Sequence, residues 1–520
     1  MFIISIIIVL AASYVLIKRH YSKWKLLGIP SDEEPSIFFG SLDKVSRQEL
    51  PLGLALAEIY QRFEHKLVGI FLLFKPTILV RDAELTRQIM TNAFESFHDR
   101  GIYVDEEYNP MSANLLSLKG QKWRALRAKL TPSFSSGKLK AMFETVDDVA
   151  QRLIDHMSRQ LEEEQKEAQR NTLEIKSLLI TYAVDIVGSV IFGLDIDSFT
   201  NPENEFHRLS NRVFYQSSLL QKVLGIMSFA CPPVAFILGR LGVRDPVIYR
   251  LRDIVQQTIE HREKNGVMRK DLLQLLIQLR NTGEISEDNE QLWNVIKTSG
   301  ESLKSISIDI IASNAFLFYM AGSETTAATT SYTIYELSMN PRVLQKAQEE
   351  VDKAMEKHGL GVNGRLTYEA IQDMAYLDLC VMETLRKYPA APFLNRECTL
   401  DYQVPDTKFT IKKGTGIIVS VFGLHRDPEY FPKPMDYIPE RFAKDSNDYN
   451  PMAYLPFGQG PRQCIAQRMG IVNVKTALAK ILANFNIKTI PRKEVEFKFH
   501  TAPVLVPKDG LNVSFSKRKK

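Results

Sequence analysis

Cys464 stands in a stretch that reads Phe457-Gly-Gln-Gly-Pro-Arg-Gln-Cys-Ile-Ala466. The segment after it, Ile465 to Leu482, is largely apolar and predicts a helix. A thiolate held just before a helix N-terminus is favoured by the helix dipole and by free backbone N–H groups. Gly458 and Gly460 carry no side chain, so the backbone can run close to a flat partner. Arg462 adds a cation two residues before the sulfur. Such a loop suits a sulfur pressed against something large, and an iron porphyrin bound through an axial thiolate fits that description. The plain alternative is a buried cysteine, because free cysteine is among the most buried residue types.

Further groups suited to the same chemistry lie upstream. Ile306 to Leu337 predicts one long helix, whose 32 residues would span ~48 Å. In its middle stands Ala321-Gly-Ser-Glu-Thr-Thr326. Ala321 and Gly322 allow something flat to approach, and Thr325 can distort the helix by bonding to its backbone. Glu324 and Thr325 place an acid and a hydroxyl side by side, a pair able to relay protons to dioxygen. Trp123 and Arg127 are four residues apart on a predicted helix from Gln121 to Leu130, and so share one face. Glu383 and Arg386 sit three apart within Val381 to Tyr388, close enough to pair.

Phe457, Gly460, Arg462 and Cys464 resemble the haem-binding loop of the cytochrome P-450 family of haem-thiolate monooxygenases, Phe-x-x-Gly-x-Arg-x-Cys-x-Gly, with Ala466 in the last position. Ala321 to Thr326 is similar to the family's oxygen-activation segment, and Glu383-x-x-Arg386 to its Glu-x-x-Arg pair. Pro434-Met-Asp-Tyr437-Ile-Pro439-Glu440-Arg441-Phe442 is similar to its Pro-x-x-Phe-x-Pro-Glu-Arg-Phe motif, with tyrosine in place of the first phenylalanine. The resemblance implies haem b with Cys464 as axial ligand. It implies that Trp123, Arg127 and Arg396 reach the haem propionates, and that Phe457 and Arg462 complete the cofactor seat. Thr325 and Glu324 would manage protons. Arg441 would join Glu383 and Arg386 in a buried structural lock. Ser112-Ala-Asn-Leu and Lys129-Leu-Thr-Pro-Ser-Phe, followed by Ser136-Gly-Lys, add a likeness to insect microsomal, xenobiotic-metabolising members.

Those residues need a scaffold to bring them together. The family fold implied is mainly α with a smaller β region, the haem lying between the long central helix and the helix after the cysteine loop. Residues 67–74 and 77–80 are apolar around Lys75-Pro76 and predict a hairpin. Residues 206 to 242 carry Ile226, Phe229, Phe236 and Leu238, suited equally to a substrate entrance, the bilayer surface or a packed helix pair. Thr501-Ala-Pro-Val504 would turn back toward the pocket, and Lys517 to Lys520 read as a solvated tail.

Residues 2 to 17 are mostly apolar and precede Lys18, Arg19, Lys23 and Lys25. Charge after the run, rather than before it, favours a retained anchor over a cleaved signal, with the remainder cytoplasmic. The expected organisation is an anchor over 1–20, a linker over 21–36 containing a Pro30–Pro35 hinge, and a catalytic domain over 37–520 at the endoplasmic reticulum membrane.

Composition restricts the alternatives. With 66 basic and 61 acidic residues the formal charge is only +5, too diffuse for a nucleic-acid partner. Four cysteines without Cys-x-x-Cys spacing argue against a zinc site or a disulfide framework, and Cys380 and Cys398 read as inert packing. A Rossmann nicotinamide-binding or flavin domain is not expected within this chain. Electrons would therefore come from a separate NADPH-cytochrome P-450 reductase, with cytochrome b5 a further partner and Lys122, Lys129 and Arg468 as docking cations. The implied reaction inserts one atom of dioxygen into an apolar small molecule. A xenobiotic substrate competes with an endogenous hormone, steroid or lipid. An isomerase or dehydratase using the same haem, and a non-catalytic haem carrier, are the other classes.

Overall fold

Ile308–Met339 is a single helix of 32 residues in the computed structural model. The model describes residues 2–31, 35–166, 171–214, 218–283, 285, 306–359, 365–446, 448–490, 497–500, 504–508 and 510–518. Ser307 caps this long helix by accepting from Ile310 N–H at 3.2 Å. Its core is rich in hydroxyls, which a buried helix must satisfy internally. Ser323, Thr325, Thr329, Thr330, Ser331 and Thr333 each donate to the carbonyl four residues back, at 2.6–2.9 Å. The polar residues thereby become compatible with the core.

The long helix packs most extensively on Ile175–Val190, a nearly continuous apolar helix. It also meets Ala375–Lys387 and Gln467–Asn484, the helices that carry Glu383 and follow Cys464. Polar contacts fix their register. Tyr182 Oη donates to Asn473 O at 2.8 Å, Thr333 Oγ1 lies 3.0 Å from Thr384 Oγ1, and Tyr332 stacks on Tyr388 at 4.3 Å.

The β region is small. Leu67–Leu72 and Lys75–Val80 form the expected hairpin, but its turn is Leu73-Phe74, with Leu73 at φ +54°. Lys75 and Pro76 belong to the second strand. Proline is tolerated there because pairing with Gly416–Val419 begins only at Thr77. Leu394–Glu397 completes this sheet antiparallel to Gly416–Val419, and it carries Asn395 and Arg396. A second sheet joins 172–174, 512–517 and 485–489.

Helix Phe2–Tyr21 is long and apolar enough to cross a membrane, and none of its apolar window is buried. Trp24, just beyond it, is buried instead, with Nε1 donating to Ile70 O at 3.0 Å. Residues 32–34 of the expected hinge, 501–503 of the expected turn and 519–520 of the tail lie outside the described residues, as do 215–217 within 206–242. The described part of 206–242 forms helices that expose Leu219, Leu220, Ile226, Phe236 and Ile237.

The expected charge lock is present. Arg386 pairs twice with Glu383, at 2.8 and 2.9 Å, and Arg441 Nε reaches the same carboxylate at 3.2 Å, all three fully buried. Loss of the carboxylate would strand two buried cations, at a cost of ~3–5 kcal/mol.

His425 joins this lock to the cysteine loop. Its Nδ1–H donates to Arg386 O at 3.2 Å and its Nε2 accepts from Leu455 N–H at 2.8 Å. A carbonyl can only accept and an amide N–H can only donate, so the neutral tautomer is specified. Burial, aided by the Arg386 charge, pulls the His425 pKa from 6.5 down to about 3. The unfolded chain takes up this proton as pH drops through the ordinary histidine range, whereas the folded chain resists until near the lowered value. Its contribution is thus intact above the unfolded pKa and is lost progressively as pH falls toward the folded one. We expect the urea midpoint to fall between about pH 7 and about pH 5, and His425→Gln, which keeps one donor and one acceptor, to flatten that slope. Identical slopes in the two proteins would contradict this assignment.

Candidate functional site

The cysteine loop is built by close backbone approach. Cys464 N–H donates to Phe457 O at 2.9 Å and Gln463 N–H to Gly460 O at 3.0 Å, which closes the loop on itself. Gly460 has φ +74°, and a Cβ there would lie 2.0 Å from Met90 O, so no other residue fits. Ala466 is different. Its φ of −99° is open to any residue, so the backbone at this position makes no demand for glycine. Phe457 is half-buried and packs against the core.

Cys464 keeps accessible surface. Burial nevertheless raises its thiol pKa, opposed by the Ala466 N–H and by the charges of Arg127 and Arg100. The long helix behaves alike: Ala321 is exposed and Thr325 half-buried, while Ser323, Glu324 and Thr326 beside them are buried.

Arginines from four different elements converge beside the loop. Arg462 lies over the Trp123 ring at 4.0 Å and donates to His98 O at 2.8 Å and Leu118 O at 2.7 Å. Arg127, on the Trp123 helix Gly120–Leu130, donates to Gln463 O at 3.0 Å. Arg396 arrives on its strand and is 2% exposed. Arg100 approaches from a coil before that helix, with Nη2 3.4 Å from Arg462 O. Burial lowers the pKa of all four, to about 10 for Arg100, about 9 for Arg462 and far down for Arg396. Mutual repulsion adds to the effect at Arg100, Arg396 and Arg462. Among the described residues, Asp99 is the one carboxylate ion-paired with any of them, at 3.6 Å from Arg462.

The donors are not exhausted by protein partners. Arg100 Nε and Arg396 Nε are buried and have no hydrogen-bond partner. Buried cations with spare N–H groups are suited to carboxylates brought by another molecule. Haem b carries two propionate carboxylates, so this seat fits it in charge, in donor type and in its nearness to a cysteine.

The structure thus gathers Trp123, Arg127, Arg396, Phe457, Arg462 and Cys464 around one region. Glu324 stands apart from Thr325. It is buried and its Oε1 lies 2.5 Å from Lys176 Nζ on the neighbouring helix, whereas Thr325 Oγ1 donates to Ala321 O at 2.6 Å. Sequence reasoning missed Arg100 and Lys176. Arg100 sits in a coil with no periodic partner, and the Lys176–Glu324 pair joins residues far apart in the chain.

The cytochrome P450 family model matches residues 30–515. Cytochrome P450 6d1 of Musca domestica is 64% identical over 507 residues, 97% of each chain. Cytochrome P450 6d3 of the same species is 62% identical over 520 residues, 100% of this chain and 99% of the relative. Probable cytochrome P450 6d2 of Drosophila melanogaster is 55% identical over 514 residues, 99% of each.

The crowding of cations predicts opposite effects of one substitution. Arg396→Gln should raise the melting temperature of the haem-free protein by relieving repulsion. The same change should weaken haem retention by about tenfold or more, since a charge-assisted hydrogen bond is lost. Thermal unfolding of the haem-free form and the rate of haem transfer to apomyoglobin check the two halves. A loss of stability in both forms would contradict the reading.

Proposed function

As a member of the cytochrome P450 family, the chain is a haem-thiolate monooxygenase, and we propose that Cys464 is its iron ligand and that Trp123, Arg100, Arg127, Arg396 and Arg462 seat the propionates. The observation that carries this is the pair of orphaned buried donors, Arg100 Nε and Arg396 Nε, in a cationic cluster beside Cys464. When bound, haem b with a thiolate ligand supplies cleavage of dioxygen, one atom entering an apolar substrate and the other leaving as water.

The remaining steps fall to the chain. Phe457 and Gly460 hold the loop that presents the sulfur. Half-buried Phe316, Leu317 and Met320 beside Ala321 offer apolar surface to a substrate and help exclude water. Thr325 Oγ1, bonded to Ala321 O at 2.6 Å, is the hydroxyl that would hold a proton on the Ala321 face of the helix, where bound haem would supply the oxygen chemistry. Glu324, buried and paired with Lys176, would help deliver protons to Thr325 only through intervening water.

Substrates in this reading are apolar xenobiotics such as insecticides or plant toxins. Electrons come from NADPH through a separate reductase, with cytochrome b5 as a further donor. Residues 1–20 anchor the chain in the endoplasmic reticulum membrane, 21–36 link, and 37–520 form the cytoplasmic catalytic domain. Exposed apolar helix Phe2–Tyr21, followed by a cluster of cations, supports that topology. Of the proposed docking cations, Lys122 pairs with Glu106 at 2.7 Å and Arg468 bonds Ser136 Oγ at 3.0 Å, while Lys129 is half-exposed.

Thr325→Ala in the reconstituted system should keep NADPH consumption while product per NADPH falls by about tenfold or more and peroxide rises. Simultaneous assay of NADPH, peroxide and oxidised 7-ethoxycoumarin checks this. Unchanged coupling would remove Thr325 from the proton path.

A further inference from the structure

Residues 112–118, Ser-Ala-Asn-Leu-Leu-Ser-Leu, cross between the two elements that flank the proposed haem seat. The segment has little regular structure, so its backbone groups need other partners. Within the segment, Asn114 Oδ1 accepts from Leu116 N–H at 3.0 Å and from Ser117 N–H at 3.3 Å, and Ser117 Oγ donates to Ser112 O.

The outward bonds go to two places. On one side, Arg462 of the cysteine loop donates to Leu115 O at 3.3 Å, Leu116 O at 3.4 Å and Leu118 O at 2.7 Å. On the other, Asn314 Oδ1 of the long helix accepts from Leu115 N–H at 3.0 Å, and Ser313 Oγ donates to Ala113 O at 2.7 Å. Asn314 and Ser313 are 1% and 0% exposed. Asn314 is itself oriented by donating from Nδ2 to Ile310 O at 2.7 Å. Leu115 therefore has its N–H held by the long helix and its carbonyl held by the cysteine loop.

Helical geometry places this clamp relative to the chemistry. Ala321 and Thr325 follow Asn314 by seven and eleven residues, each within about 20° of the same helical stripe at about 100° per residue. The strap thus docks on the face that carries Ala321 and Thr325, about 10 to 16 Å along the axis. Its inner bonds and Arg462 fix its shape and one edge. Asn314 fixes where that shape sits on the helix.

We propose that Asn314 is a positioning residue: by holding Leu115 N–H it seats the 112–118 strap along the Thr325 face and so sets the room left for an apolar substrate. This rests on the haem-thiolate reading above. It can be tested by the binding of two azoles to the full-length holoenzyme, followed by the Soret shift. Imidazole reports access to the iron, and 4-phenylimidazole adds an apolar ring that must fit the pocket wall.

Asn314→Leu, close in volume but unable to accept, should weaken 4-phenylimidazole by about tenfold and change imidazole by less than about twofold, because a buried N–H is left unpaired and the strap shifts. Asn314→Gln, which keeps both the amide acceptor and the amide donor, should return 4-phenylimidazole to within about threefold of the parent. Should Asn314→Leu yield no holoenzyme, Ser313→Ala, which removes the second bond, should show the same selective loss at about threefold. Equal changes for both azoles, no change for either, or a Gln variant as impaired as the Leu variant would overturn the proposal. A parent protein whose reduced carbon monoxide complex lacks a thiolate-type Soret band would instead overturn the haem-thiolate reading, leaving the strap geometry as it is.

Discussion

A buried excess of positive charge is the constraint on which the rest of this molecule depends. Arg100, Arg127, Arg396 and Arg462 come from a coil, a helix, a strand and the cysteine loop, and among the described residues one carboxylate, Asp99, is ion-paired with them. Like charges in a poorly solvated region repel, and each is costly without a partner. The fold tolerates them by spending several donors on backbone carbonyls: His98, Leu115, Leu116 and Leu118 around Arg462, and Gln463 around Arg127. These bonds tie distant stretches to the loop. The donors left over, Arg100 Nε and Arg396 Nε, match carboxylates carried by a prosthetic group.

Rigidity around that cluster is supplied by a second charged centre of a different kind. Glu383, Arg386 and Arg441 are matched to one another and buried, so they hold structure rather than bind. His425 connects this lock to Leu455 at the approach to the cysteine loop. The long helix is fixed to the lock-bearing helix and its end through Thr333 and Tyr332, and to the strap through Asn314. Loop, strand and helix are thus each braced by buried polar bonds.

Much of this was legible in the residues. The long helix was expected over Ile306 to Leu337 and runs Ile308–Met339, its apolar residues largely buried and its hydroxyls donating to the carbonyls four residues back. Glu383 and Arg386 were legible because three residues of separation on a helix bring side chains together. The hairpin was legible in its strands but not in its turn, since Lys75-Pro76 looks like a breaker while the pairing ladder leaves Pro76 free of a donor's duty. Arg100, Lys176 and the clamp at Asn314 were not legible. Each works through contacts between residues far apart in the chain, and no local period marks them. The expected partnership of Glu324 with Thr325 also hid a geometric fact: adjacent helical residues point about 100° apart, so Glu324 turns to Lys176.

The most direct measurement of the central claim is the optical difference spectrum of the dithionite-reduced protein with and without carbon monoxide, taken on the parent and on Cys464→Ala. A strongly red-shifted Soret band in the parent that vanishes in the variant is the predicted result, because a thiolate ligand shifts the band and Cys464 supplies it. A Soret band typical of histidine ligation in the parent, or a thiolate-type band that survives in the variant, would contradict it.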